Sequence, residues 1–294
     1  MVINKLINRI FYQLWKLKHR PVKNADATAA ATAPLFVGGM FRSGTSLVTR
    51  LLIQNGFDAG PEKHLLQPIG FRKELNPDGF FENYLFMEWS MLYMKLQGVN
   101  GASVNEPSHW KSIMEINIAE EEFARFCILE NSDDRISNKN KLDVLKNYST
   151  TNLDQYIQQN FGVDPVIKNP HFTLFFDAMF QHWPHSKLIL VFQNPQQSLA
   201  SVNSKMLPVD PLLYKRYYEP ALNANDPRIA FFSLEQLFAD PEGSLQALSA
   251  WTGKKIKVYK AFDVREKVSE NTQSLPAAVL DVYERLKQNC INKN

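Results

Sequence analysis

The sequence predicts an α/β fold: three layers, α/β/α, around a central parallel sheet, with a P-loop-like turn after the first strand. Two observations carry this. Short apolar runs at residues 35–37, 165–168, 187–192 and 229–232 alternate with segments of helical period. Strands that alternate with helices build a parallel sheet covered on both faces. The first run passes through a glycine-bearing turn, residues 38–44, directly into a helix that opens at Thr45-Ser46. At 294 residues with 45% hydrophobic and 12% aromatic side chains, the chain can bury a full core, and it suits one α/β domain with short appendages.

The elements follow in order. Residues 1–33 stand apart as a basic amphipathic helix and linker, and residues 34–294 form the domain. Ile3, Leu6, Ile7, Ile10, Phe11, Leu14, Trp15 and Leu17 recur at three- and four-residue spacing, while Lys5, Arg9, Lys16, Lys18, His19 and Arg20 fill other positions. Polar residues interrupt this helix too often for it to span a bilayer, and no small-residue cleavage site marks a secretory signal. Two readings stay open for residues 1–20: contact with an anionic membrane surface, or docking on the protein's own core or a partner subunit. Residues 25–33 read as a flexible linker. The first domain helix ends near Gly56 as a C′ glycine. Residues 58–79 read as a proline- and glycine-punctuated loop region, with helices at 84–96, 115–129 and 153–161. Loops are predicted at 98–110 and 131–141. An aromatic-rich helix at 171–182 precedes the strand at 187–192. Helices at 244–251 and 274–289 follow the last strand.

Charge and cysteine content exclude several classes. With 33 basic and 30 acidic side chains the balance is too even for a nucleic-acid binder. Cys127 and Cys290 stand far apart in no ligand spacing, so they read as free thiols of a reducing compartment, the cytoplasm. If residues 1–20 touch a membrane, the protein is peripheral on its inner face.

The turn carries the chemistry. Backbone N–H groups of a glycine turn and of the following helix start can donate to an anion, and the helix dipole adds positive potential. Gly39 and Gly44 have the glycine spacing of the Walker A loop, G-x-x-x-x-G-K-S/T. Where that loop has lysine, this chain has Thr45, and its cation is Arg42 within the turn. The apolar strand at 187–192 runs into Gln193-Asn194-Pro195 and supplies no magnesium-binding aspartate. A magnesium-dependent nucleoside triphosphatase needs both lysine and metal. The turn is therefore expected to hold a phosphate-like group without metal, through Arg42, the hydroxyls of Ser43, Thr45 and Ser46, and backbone amides.

These residues resemble the 5′-phosphosulfate loop of sulfotransferases. Four further segments are similar to family elements and occur in the family's order. Asn76-Pro-Asp-Gly-Phe-Phe-Glu82-Asn83 resembles an "NPKGFFE" element of bacterial glycan- and lipid-directed members. Val166-Ile-Lys168-Asn169-Pro170-His171 resembles their "KDPR" element. Residues 188–195, followed by Ser198 and Ser201, resemble the 3′-phosphate element, and residues 232–241 resemble the "YEDL…DP" segment. The resemblance runs from about Pro34 to about Gly253. It implies a P-loop-like sulfotransferase fold, 3′-phosphoadenosine 5′-phosphosulfate (PAPS) as co-substrate, no metal, and a hydroxyl acceptor on a carbohydrate or glycolipid.

The implied site follows residue by residue. Gly39, Arg42, Ser43, Gly44, Thr45 and Ser46 fall on the 5′ loop. Gln193 falls where the family has its 3′-phosphate arginine, and Ser201 falls on that element's serine. Glutamine brings no charge, which weakens one phosphate contact by about 1.5–3 kcal/mol; Lys205 and Lys168 are the candidate replacements. Arg42 and Lys168 are candidate cations for the sulfuryl oxygens. The base is expected to be Glu62, then Glu82, then His64. Aromatic neighbours in Gly79-Phe-Phe-Glu82 are expected to desolvate Glu82 and raise its pKa. Two other readings remain: a non-catalytic nucleotide-binding or scaffold protein of the same fold, favoured by Gln193, and a small-molecule kinase, disfavoured by Thr45.

Overall fold

A computed structural model describes residues 33–66, 68, 76, 79–83, 86, 87, 90, 153–205, 209–257 and 274–293. The amphipathic helix at 1–20, the helix at 115–129 and the loops at 98–110 and 131–141 lie outside the described residues. So do most of the linker and most of the helix at 84–96.

Four parallel strands form the sheet: β1 (Leu35–Gly38), β2 (Val166–Lys168), β3 (Lys187–Phe192) and β4 (Ile229–Ser233), in the order β2-β1-β3-β4. The register sets Phe36 beside Ile167 on one side and Leu188 on the other, and Leu190 beside Phe231. Successive side chains point to opposite faces, so a strand buried on both faces must be apolar throughout. Every residue of β3 but Lys187 is buried.

That alternation sorts the core into two. Phe36, Ile167, Leu188, Leu190 and Phe192 face one apolar cluster, while Leu35, Val37, Val166, Ile189 and Val191 face the other. The first is closed by α2 (Leu153–Asn160), α3 (Phe176–His182), α4 (Pro195–Lys205), α5 (Leu212–Ala224) and α8 (Ala277–Asn289). The second is closed by α1 (Thr45–Gln54), α6 (Leu234–Ala239) and α7 (Pro241–Thr252). Two cores on one sheet make the expected three layers.

Several boundaries differ from the sequence reading. The helix expected at 171–182 is two pieces, a fully buried 3-10 turn at Pro170–Leu174 and then α3. Asn169 starts the turn, its side-chain oxygen accepting from the His171 N–H, and Phe175 breaks it with φ −146° and ψ 27°. Such tight turns seldom run beyond three or four residues, so the chain restarts as an α-helix. In the region expected as loop, Asp58 makes a single bridge to Pro165, and Glu62–His64 form a 3-10 turn. The described part of this region before Glu62 is therefore loop apart from one residue of ladder. The helix expected from residue 244 begins at Pro241, because the Asp240 side chain caps it by accepting from Gly243 N–H. Helix α5 is the element that periodicity missed.

Leu190 is fully buried at the centre of the sheet. Leu190→Ala is expected to lower unfolding free energy by about 2–5 kcal/mol, through lost transfer energy and the cavity left behind. Urea unfolding checks this.

Candidate functional site

The chain reverses lateral direction at β1, which has β2 on one side and β3 on the other. In open parallel sheets this switch point opens a crevice beyond the carboxyl ends of the strands. The turn after β1 and the residues after β3 meet there.

The turn's backbone demands its glycines. Gly39 has φ 140°, and a Cβ there would stand 2.3 Å from the carbonyl oxygen of Val191. Gly44 has φ 88°, and its Cβ would stand 2.6 Å from Leu234 at the start of α6. The turn is thus wedged between the ends of β3 and β4, where no larger residue fits. Arg42 also has positive φ, at 64°, without a glycine's freedom. Helix α1 starts after Gly44 with no acidic residue in its first turn, so its first N–H groups can serve an anion.

The hydroxyls of Ser43 and Ser46 are already engaged. Ser43 is buried and its Oγ donates to the Met40 carbonyl at 2.6 Å. Thr45 is buried, and Ser46 Oγ donates to the Phe80 carbonyl at 3.3 Å. Arg42, Gln193 and Ser201 come together across 159 residues of sequence. Arg42 Nε donates to Ser201 Oγ at 3.0 Å, and Gln193 Nε2 donates to the Arg42 carbonyl at 2.8 Å. Partial burial lowers the Arg42 pKa by desolvation.

Three tyrosines of α5 hold this assembly from below. Tyr214 OH donates to the Gln193 carbonyl at 2.9 Å. Tyr218 OH accepts from the Met40 N–H at 2.9 Å and donates to the Val191 carbonyl at 2.8 Å. Tyr217 OH pairs with His171 Nδ1 at 3.1 Å. None of the three was found from sequence. The signal was present: Leu213, Tyr214, Tyr217, Tyr218 and Ala221 fall on one helical face.

At the end of β2, Lys168 is 3% exposed and forms an ion pair with Glu82. It does not point to solvent, as a strand-end lysine would by default. Glu82 also bridges the strand, and its carbonyl accepts from Leu66 N–H at 2.7 Å. The next residues are buried and polar: Asn169 Nδ2 donates to Ser90 Oγ at 2.8 Å, and His171 packs edge-on against Phe41 at 5.2 Å. Burial, with the nearby Lys168 ammonium, lowers the His171 pKa to about 4. His64 is buried, and its Nδ1 shares a hydrogen bond with Tyr156 OH at 2.9 Å. Glu62 is exposed at the start of the same 3-10 turn. The structure thus joins Arg42 with Gln193 and Ser201, and Lys168 with Glu82; His64 sits with Tyr156. The Lys205 side chain lies outside the description. Among the described residues no group of three or more His, Cys, Asp or Glu side chains is arranged to hold a metal ion.

The sulfotransferase family profile matches residues 34–257. The chain belongs to the sulfotransferase family. Solved structures similar to it include a sulfotransferase from Mycobacterium avium, 18% identical, with TM-score 0.42 and coverage of 85% of this chain and 70% of that one. A sulfotransferase from Mycobacterium tuberculosis is 15% identical, with TM-score 0.39 and coverage of 97% and 83%. The sulfotransferase domain of the Synechococcus PCC 7002 olefin synthase is 15% identical, with TM-score 0.43 and coverage of 91% and 98%. No curated protein matches the sequence. Among the described residues of this sulfotransferase no helix is long and apolar enough to cross a membrane.

The His171 environment sets a pH dependence. Its folded pKa of about 4 lies below the ordinary 6.5, so the unfolded chain binds the extra proton as pH falls. Its contribution is fully present above about pH 6.5 and is lost progressively down to about pH 4, by roughly 3 kcal/mol. The difference in stability between wild type and His171→Gln, measured by urea unfolding at pH 7.5 and 4.5, is expected to shrink at the lower pH.

Proposed function

We propose that this sulfotransferase transfers a sulfuryl group from PAPS to a hydroxyl acceptor on a carbohydrate or glycolipid. The observation that supports it best is the meeting of Arg42, Gln193 and Ser201 in the crevice between β1 and β3. Those three positions are where the family's 5′-phosphosulfate and 3′-phosphate elements fall. The donor set fits a phosphosulfate: an arginine, an uncapped helix start and no carboxylate in its first turn. When bound, PAPS supplies the activated sulfuryl group on its phosphosulfate anhydride. The acceptor class is drawn from the likeness of residues 76–83 to an element of bacterial glycan- and lipid-directed members.

Roles follow from the residues' settings. Arg42, with the amides that open α1, stabilises negative charge at the transferring group, as preorganised donors do. Lys168 is the second cation, and Glu82 orients its ammonium. Glu62, exposed at the start of its 3-10 turn, is the base that takes the hydroxyl proton in this reading. His64 anchors Glu62's turn through Tyr156. Gly39 and Gly44 give the turn its shape, and Ser43, Thr45 and Ser46 hold its interior.

Calorimetric titration of adenosine 3′,5′-bisphosphate without magnesium tests the donor. Micromolar binding that Arg42→Ala weakens at least tenfold is the expected result, and no binding to wild type would sink the donor assignment. Turnover of PAPS with a panel of sugar and glycolipid acceptors separates an enzyme from a binding protein. Glu62→Gln is expected to lower that turnover by about 10²–10⁴-fold with bisphosphate binding intact. Loss confined to Glu82→Gln would move the base to Glu82.

A further inference from the structure

We propose that Gln193 is a positioning residue for Arg42, and that Tyr214 completes a relay, Tyr214–Gln193–Arg42–Ser201, that fixes the loop arginine in place for the phosphosulfate. The inference rests on the sulfotransferase reading for the identity of the anion, and on geometry alone for the relay.

The chain of contacts is continuous. The fully buried Tyr214 donates to the main-chain carbonyl of Gln193 at 2.9 Å, which fixes the backbone that carries the Gln193 side chain. The Gln193 amide then donates to the Arg42 carbonyl at 2.8 Å. That peptide belongs to a residue with φ 64°, a conformation that costs a non-glycine residue energy unless its surroundings hold it. Arg42 Nε in turn donates to Ser201 Oγ at 3.0 Å. Gln193 lies between β3 and α4 and Ser201 within α4, so the two side chains that bond to Arg42 come from one strand-to-helix connection.

This accounts for glutamine where the family pattern has arginine. The neutral amide at 193 uses its donor to hold the loop through the Arg42 carbonyl. Ser201 is then the anchor of the Arg42 side chain, and Gln193 acts on a bound anion only through Arg42.

The first test needs no ligand. Nitrogen-15 NMR of the full chain reads the Arg42 Nε–H exchange rate, its resonance assigned by loss in Arg42→Lys. In wild type the bond to Ser201 slows exchange, and Ser201→Ala releases it. Gln193→Met, which keeps length and removes the donor, is expected to speed exchange at least tenfold. Tyr214→Phe, which keeps the ring, is expected to speed it less. Exchange unchanged in Gln193→Met would overturn the relay. The second test titrates adenosine 3′,5′-bisphosphate into wild type and Gln193→Met, with an expected loss of about tenfold, the scale of one neutral hydrogen bond. Gln193→Met with slow exchange and weakened binding would make Gln193 a direct ligand and overturn the proposal. Fast exchange in Gln193→Met with no bisphosphate binding in wild type would uphold the relay and overturn the donor reading.

Discussion

The site depends on one hydroxyl. Tyr218 OH accepts from the amide of Met40 and donates to the carbonyl of Val191, joining the turn after β1 to the end of β3. Met40 and Val191 are both fully buried, so neither backbone group has water as an alternative partner. Without the hydroxyl two polar groups would lie unpaired in a low-dielectric interior, at about 1–3 kcal/mol each. Burial pushes the Tyr218 pKa upward, which keeps the phenol protonated and its donor in place. The turn therefore takes its shape from a residue 178 positions away as well as from its own glycines.

Helix α5 serves this end at three heights. Tyr214 holds Gln193, Tyr218 holds the Met40–Val191 junction, and Tyr217 holds His171. The three lie at i, i+3 and i+4, which puts them on one face. Periodicity in this stretch is masked by Pro208, Pro211 and Pro220, all of which read as breakers. Pro211 precedes the first helical residue and Pro220 lies inside the helix. Tertiary packing overrides the penalty that proline carries in isolation.

What was legible in the sequence was what local backbone chemistry dictates. Gly39 and Gly44 marked the turn because close approach and positive φ admit only glycine there. The strand at 187–192 and the helix opening at Thr45 follow from apolar runs and a glycine turn. Long-range pairing was not legible. Nothing local says that Ser43 turns inward to Met40, or that Lys168 is buried beside a carboxylate 86 positions away. The single helix expected at 171–182 failed because the Asn169 cap and Pro170 commit the chain to a tight first turn.

The two cations of the site are held by different means. Lys168 is buried, and a buried ammonium needs a partner to offset its desolvation; Glu82 provides it. Arg42 is only partly buried; its Nε donates to the hydroxyl of Ser201, and its main-chain carbonyl accepts from the amide of Gln193. A guanidinium is less strongly hydrated than an ammonium and presents five donors in a rigid fork, so a hydroxyl contact can steer it. Beneath both, His171 stays neutral at physiological pH because an imidazolium there would be desolvated and repelled by Lys168. Its neutrality keeps a further positive charge away from the buried Lys168. In the proposed function the attraction for an anion comes from Arg42 and the helix start, with Lys168 as the second cation.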